Sequence, residues 1–137
     1  MTDINISDSV AHPLVKYRNH MEFNGYHVEE DGEVLICRHP RKQNISIKSV
    51  IGRGVLIRTF FYCQPNMPRI DVLEYVNDLN TDFVFMKAYL TIDSEKIYIE
   101  TFCEGEYDKT VFSILLENIE SDREIFNNHQ RTLEFLQ

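Results

Sequence analysis

The side chains able to do chemistry are scattered. Cys37 and His39 stand two apart, a spacing that places both on one face of a strand, where a thiolate and an imidazole can share a metal. Two ligands do not make a site, so the pair is read as a buried thiol beside an edge histidine. Glu29, Glu30, Asp31 and Glu33 surround an Asp-Gly turn. They lack the ligand spacing of a calcium loop and read as a solvated hairpin tip. Arg38, Arg41, Lys42, Lys48, Arg53 and Arg58 form a basic cluster. It either recognises an acidic segment or phosphate, or defends a sheet edge against aggregation. The histidines His12, His20, His27, His39 and His129 are dispersed. No nucleophile-elbow, phosphate-loop, dinucleotide-fingerprint, zinc-protease or calcium-loop pattern occurs. The residues therefore give no catalytic group, no metal ligand set and no cofactor.

Composition narrows the partners. The chain has 137 residues, the size of one domain, and its 43% apolar content suits a globular fold. A net charge of −8 repels phosphate backbones, which argues against nucleic acid. The acids concentrate after residue 65, favouring solubility or a basic partner. Apolar runs such as Phe83-Val84-Phe85-Met86 are too short to cross a bilayer, so no membrane is expected. Cys37, Cys63 and Cys103 are an odd set without a leader-like N-terminus, as expected of reduced thiols in the cytoplasm.

The elements that would position these groups follow from periodicity. Residues 1–11 are polar and aperiodic and read as a loose tail. A helix opens at Pro13, with Leu14, Tyr17 and Met21 on one stripe and Gly25 as its stop. Residues 26–29 allow a short strand, and Asp31-Gly32 is a hairpin turn. Strands over 33–39, 44–51 and 55–63 form an antiparallel meander. A second helix near 68–80 carries Ile70, Leu73, Val76 and Leu79. Strands over 83–92 and 96–103 flank Asp93-Ser94-Glu95. A last helix starts near Asp108, with Val111, Leu115, Ile119, Phe126 and Leu133 able to share a face and Asn127-Asn128 as a bend or break. The order α-β-β-β-α-β-β-α, with one optional strand, predicts a single α+β domain built on an antiparallel sheet.

Alternation sorts the strands into two faces. Ile45, Ile47, Val55, Ile57, Phe61, Val84, Met86, Ala88, Leu90, Ile97 and Ile99 make an aliphatic core face, which the helices of the two ends should cover. The opposite face collects Lys48, Leu56, Arg58, Phe60, Tyr62, Phe85, Lys87, Tyr89, Tyr98, Glu100 and Phe102. Rings interleaved with charge suit a protein interface. Arg58, Phe60, Tyr62, Phe85, Tyr89, Tyr98 and Phe102 are the candidate protein-binding residues. If the second helix covers this face instead, the charges must snorkel at its rim.

The stretch from Gly25 to Leu136 resembles the YbjN-type family, proposed regulators of bacterial sensory transduction. The resemblance rests on Gly25-Tyr26-x-Val28, Asp31-Gly32-x-Val34-Leu35, Tyr75-Val76-Asn77-Asp78-Leu79-Asn80, Phe83 with the strand Met86–Ile92, the Asp93-Ser94-Glu95 turn with Lys96-Ile97-Tyr98, and the pattern of Val111–Ile119. It implies a type III secretion chaperone-like fold: small acidic proteins that commonly dimerise and hold extended client segments without ATP. The expected function is a non-enzymatic, chaperone-like or regulatory homodimer. It would engage a protein segment through the ring-bearing face or by strand addition to a sheet edge. The alternative is a small enzyme or ligand-binding domain with an unrecognised pocket, which requires Cys37, His39 and a carboxylate to converge.

Overall fold

The computed structural model describes residues 12–137; the tail expected at 1–11 lies outside the described residues. Helix α1 (Val15–Phe23) buries Tyr17 and Met21, as the stripe requires. It ends where Gly25 adopts φ +90°, and the N–H groups of Gly25 and Tyr26 return to the carbonyls of Glu22 and Met21. Six strands follow in the order β1 (His27–Asp31), β2 (Val34–Arg38), β3 (Ile45–Val50), β4 (Gly54–Tyr62), then, after helix α2 (Arg69–Asp82), β5 (Lys87–Leu90) and β6 (Lys96–Glu104). Helix α3 (Lys109–Asn128) and a single turn, α4 (Thr132–Phe135), close the chain. The optional strand is thus a full member of the sheet, and the terminal helix breaks at Asn128 as the Asn pair suggested.

The sheet is antiparallel throughout, in the order β1-β2-β3-β4-β6-β5. Each turn has a local cause. Gly32 and Gly52 take positive φ at the β1–β2 and β3–β4 hairpins, and the Asp93 carboxylate accepts the Glu95 N–H in the β5–β6 turn. The α+β class, the β2-β3-β4 meander and the turn that joins β5 to β6 match the reading from periodicity, and the β4–β6 pairing that joins them into one sheet comes from the fold.

All three long helices lie on the aliphatic side. Met21 of α1, Tyr75 and Leu79 of α2, and Phe112, Ile119 and Phe126 of α3 share one core with Ile47, Ile57, Ile97 and Ile99. Phe61 stacks on Phe126 with ring centroids 4.6 Å apart. Helix α2 therefore does not cover the ring-bearing face.

Several expected core residues are corrected. In α2, Ile70 and Leu73 face solvent, while Val72, Tyr75, Val76 and Leu79 are buried. Nine positions at 100° each put Ile70 opposite Leu79, so a spacing of three cannot hold one face. In α3, Phe112, Ile119 and Phe126 are buried while Val111 is exposed, and Leu133 is exposed in α4 beyond the break. Val84 is 71% exposed because β5 starts only at Lys87. Residues 83–86 are held by a side chain instead of a ladder. The fully buried Asp122 accepts backbone N–H groups from Val84, Phe85 and Met86 at 3.1, 2.8 and 2.8 Å.

Candidate functional site

Three strands, β4, β5 and β6, place the candidate residues on the uncovered side. Register sets Leu56 opposite Phe102, Arg58 opposite Glu100 and Phe60 opposite Tyr98. It then sets Lys87 opposite Glu100 and Tyr89 opposite Tyr98. Six of the seven candidates therefore stand on one surface of adjoining strands. Phe85 precedes β5; its carbonyl accepts the Thr101 hydroxyl at 3.2 Å. Phe60, Tyr62, Phe85, Tyr89 and Phe102 are between 36% and 51% exposed, and Tyr98 is half-buried among them.

The rings hold one another and the cations. Phe60 packs edge-on to Tyr62 and tilted on Tyr98, while Tyr89 stacks on Tyr98 at 5.6 Å. The Arg58 guanidinium lies 4.7 Å over the Tyr98 ring. The Lys96 ammonium lies 4.9 Å from the Phe60 ring and 5.5 Å from Tyr62. Such contacts fix side chains that would otherwise lose rotamer freedom on binding.

Glu100 is the centre of this face and is buried. Its carboxylate accepts the Tyr89 hydroxyl at 2.9 Å and lies 3.4 Å from Lys87 Nζ and 3.9 Å from Arg58. Burial raises the Tyr89 phenol above its ordinary pKa, and the neighbouring carboxylate adds to the shift. Around the rings stand Lys48, Arg58, Lys87 and Lys96 against two carboxylates, Glu100 and, beside Phe102, Glu104, which lies 3.7 Å from the Arg53 guanidinium. The surface is a basic island on an acidic chain.

The convergence required for an enzyme built on Cys37 does not occur. Cys37 points into the core, and burial pushes its thiol up to about 12. His39 lies beyond the end of β2, and its Nδ1 accepts the N–H groups of Arg41 and Lys42. Among the described residues no three histidine, cysteine or acidic side chains group to hold a metal. A different histidine contact emerges, one that sequence could not show. His20 Nδ1 lies 2.7 Å from the Tyr107 hydroxyl and Nε2 3.2 Å from the Ser113 hydroxyl, beside an open depression of about 400 Å³. Ser113 sits in the second turn of α3, where its own N–H is engaged by the helix, so no backbone donor pair faces it. The chain of contacts ties α1 to the start of α3.

The two sheet edges differ. On β5, Ala88 is closed off: its N–H donates to Asn80 Oδ1 at 2.8 Å and its carbonyl accepts from Asn80 Nδ2 at 2.9 Å. Asn80, which ends one of the motifs that carry the family resemblance, thus has a structural task. The β1 edge has no such lock among the described residues.

The fold and this surface define an α+β protein with helices on one side of an antiparallel sheet and an uncovered aromatic face on the other. The architecture is that of YbjN from E. coli, described as a proposed transcription regulator, with a TM-score of 0.72 over 90% of this chain and 95% of that one at 13% identity. No family model and no curated protein matches the sequence. No helix among the described residues is long and apolar enough to cross a membrane.

Proposed function

We propose that this chain is a non-enzymatic protein-binding module of the cytoplasm, regulatory or chaperone-like, that meets a protein partner on the uncovered sheet face. One observation carries the reading: five aromatic side chains stay more than a third exposed around half-buried Tyr98, on strands stiffened by the ion pairs of Glu100. Large apolar rings with pre-set charged neighbours supply contact area at little ordering cost. Four cations against Glu100 and an Arg53-paired Glu104 leave the face net positive and select a segment bearing acidic as well as apolar residues. The likeness to YbjN supports a regulatory role and lends no partner by itself.

The test is a display selection of random twelve-residue peptides on the purified chain, repeated on Tyr62→Ala/Tyr98→Ala. Enrichment of peptides combining acids with aromatic or aliphatic residues, lost in the double variant while its thermal midpoint holds, supports the reading. Enrichment that ignores charge, or that survives in the variant, sinks it. Light scattering in the same series reads self-association. A dimer that the double variant turns into a monomer assigns the face to a second copy.

A further inference from the structure

Main-chain polarity decides which sheet edge can take another strand. The β1–β2 hairpin closes at Asp31 and Val34 around Gly32-Glu33, so Asp31, Glu29 and His27 exchange hydrogen bonds with β2. The N–H and C=O groups of Val28 and Glu30 then point away from the sheet. Among the described residues no hydrogen bond outside the ladders engages them. The opposite edge offers no comparable row. Ala88 is taken by Asn80, the Met86 N–H by Asp122, and α2 packs along β5.

The open edge also has a sign. Glu29, Glu30, Asp31 and Glu33 line it, against Arg18 and Arg38, which pair with Glu30 and Glu29. Asp31 and Glu33 have no ion-pair partner among the described residues. A second copy laid edge to edge would bring the same acids face to face, which costs free energy. The first eleven residues of the chain hold Asp3 and Asp8 and no lysine or arginine, so they do not match either.

We infer that the β1 edge receives an extended, lysine- or arginine-bearing segment of another protein as a seventh strand. Val28 and Glu30 each give one N–H and one C=O to the added strand. Its alternate side chains project over Glu29 and Asp31. Strand addition fixes the backbone and the acids select charge, while the added chain needs no particular apolar sequence. This surface is separate from the aromatic face, and the inference stands without it.

The test uses two acetylated, amidated peptides, Thr-Lys-Val-Lys-Val-Lys-Thr and its counterpart with glutamate at each lysine, titrated calorimetrically. In the Tyr62→Ala/Tyr98→Ala variant, where the aromatic face no longer holds the glutamate peptide, the lysine peptide should bind about tenfold more tightly or better. Amide exchange at Val28 and Glu30 should slow on binding. Glu30→Pro removes one outward N–H while leaving the β1–β2 ladder, and proline is tolerated on an edge strand. It should weaken the lysine peptide by about fivefold. Asp31→Lys should narrow the difference between the two peptides without touching the fold. The Tyr62→Ala/Tyr98→Ala variant should bind the lysine peptide as the parent does. Equal affinity for both peptides in the Tyr62→Ala/Tyr98→Ala variant, no binding of the lysine peptide, or its protection located on the aromatic face would overturn the inference. Loss of lysine-peptide binding in the tyrosine variant would also overturn it, and would move the ligand to the surface proposed above.

Discussion

The carboxylate of Asp122 accepts the backbone N–H of Met86 at 2.8 Å, with the acid fully buried and the methionine nearly so. The same group also holds Val84 and Phe85, so one α3 side chain shapes the approach to β5. A buried charge is tolerated here because three donors replace its water.

Replacing that acid tests how much the segment depends on it. Asp122→Ala leaves the Met86 N–H buried without an acceptor and should cost about 2–4 kcal/mol. Asp122→Asn keeps one acceptor oxygen and should recover part of the loss. Urea unfolding followed by far-ultraviolet circular dichroism measures both. A loss under about 0.5 kcal/mol, typical of an ordinary surface position, would show that the segment holds itself.

The Asn80 lock on β5 makes a prediction about solubility as much as stability. Asn80→Ala frees both main-chain groups of Ala88 and should cost about 1–2 kcal/mol. It also bares an edge that can pair with other chains, so aggregation should rise with protein concentration. Light scattering over a dilution series reads this directly.

Stability should fall on the acid side through His20. Burial, and then the positive charge of Lys109, hold its pKa below the ordinary histidine value. The neutral ring is therefore the form the folded state prefers, and the unfolded chain binds more protons. This contribution is fully present above the unfolded value of about 6.5 and is lost as pH drops through it toward the lowered folded value. His20→Gln keeps a polar side chain between Tyr107 and Ser113 and should flatten the slope of unfolding free energy between about pH 7 and 5. An unchanged slope would assign the acid sensitivity to other groups.

The corrected face of α2 can be read by two substitutions. Leu79 is fully buried, so Leu79→Ala should cost about 2–5 kcal/mol. Ile70 is exposed, so Ile70→Ser should stay within about 0.5 kcal/mol. Equal losses would restore the stripe that runs through both residues.

How legible the molecule was depends on the range of the interaction. The hairpin at Gly32, the turn at Asp93-Ser94-Glu95 and the alternation of β4 and β6 are local, and they placed Arg58, Phe60, Tyr62, Tyr98 and Phe102 on one surface correctly. Residues 83–86 misled because their apolar run mimics a strand, while the group that holds them sits on α3, far along the chain. The α2 stripe misled for an arithmetical reason, since a period of three drifts around a helix.

Sequence alone settled the class, the sheet and the two-faced character of its strands, because side-chain alternation and turn chemistry act between near neighbours. Tertiary structure alone decided that α2 joins the two terminal helices on the aliphatic side, leaving the rings uncovered. It also decided that Asn80 seals one edge while β1 stays open among the described residues. Those outcomes depend on packing between segments distant in the chain, where burial of apolar area and satisfaction of backbone polar groups are settled together.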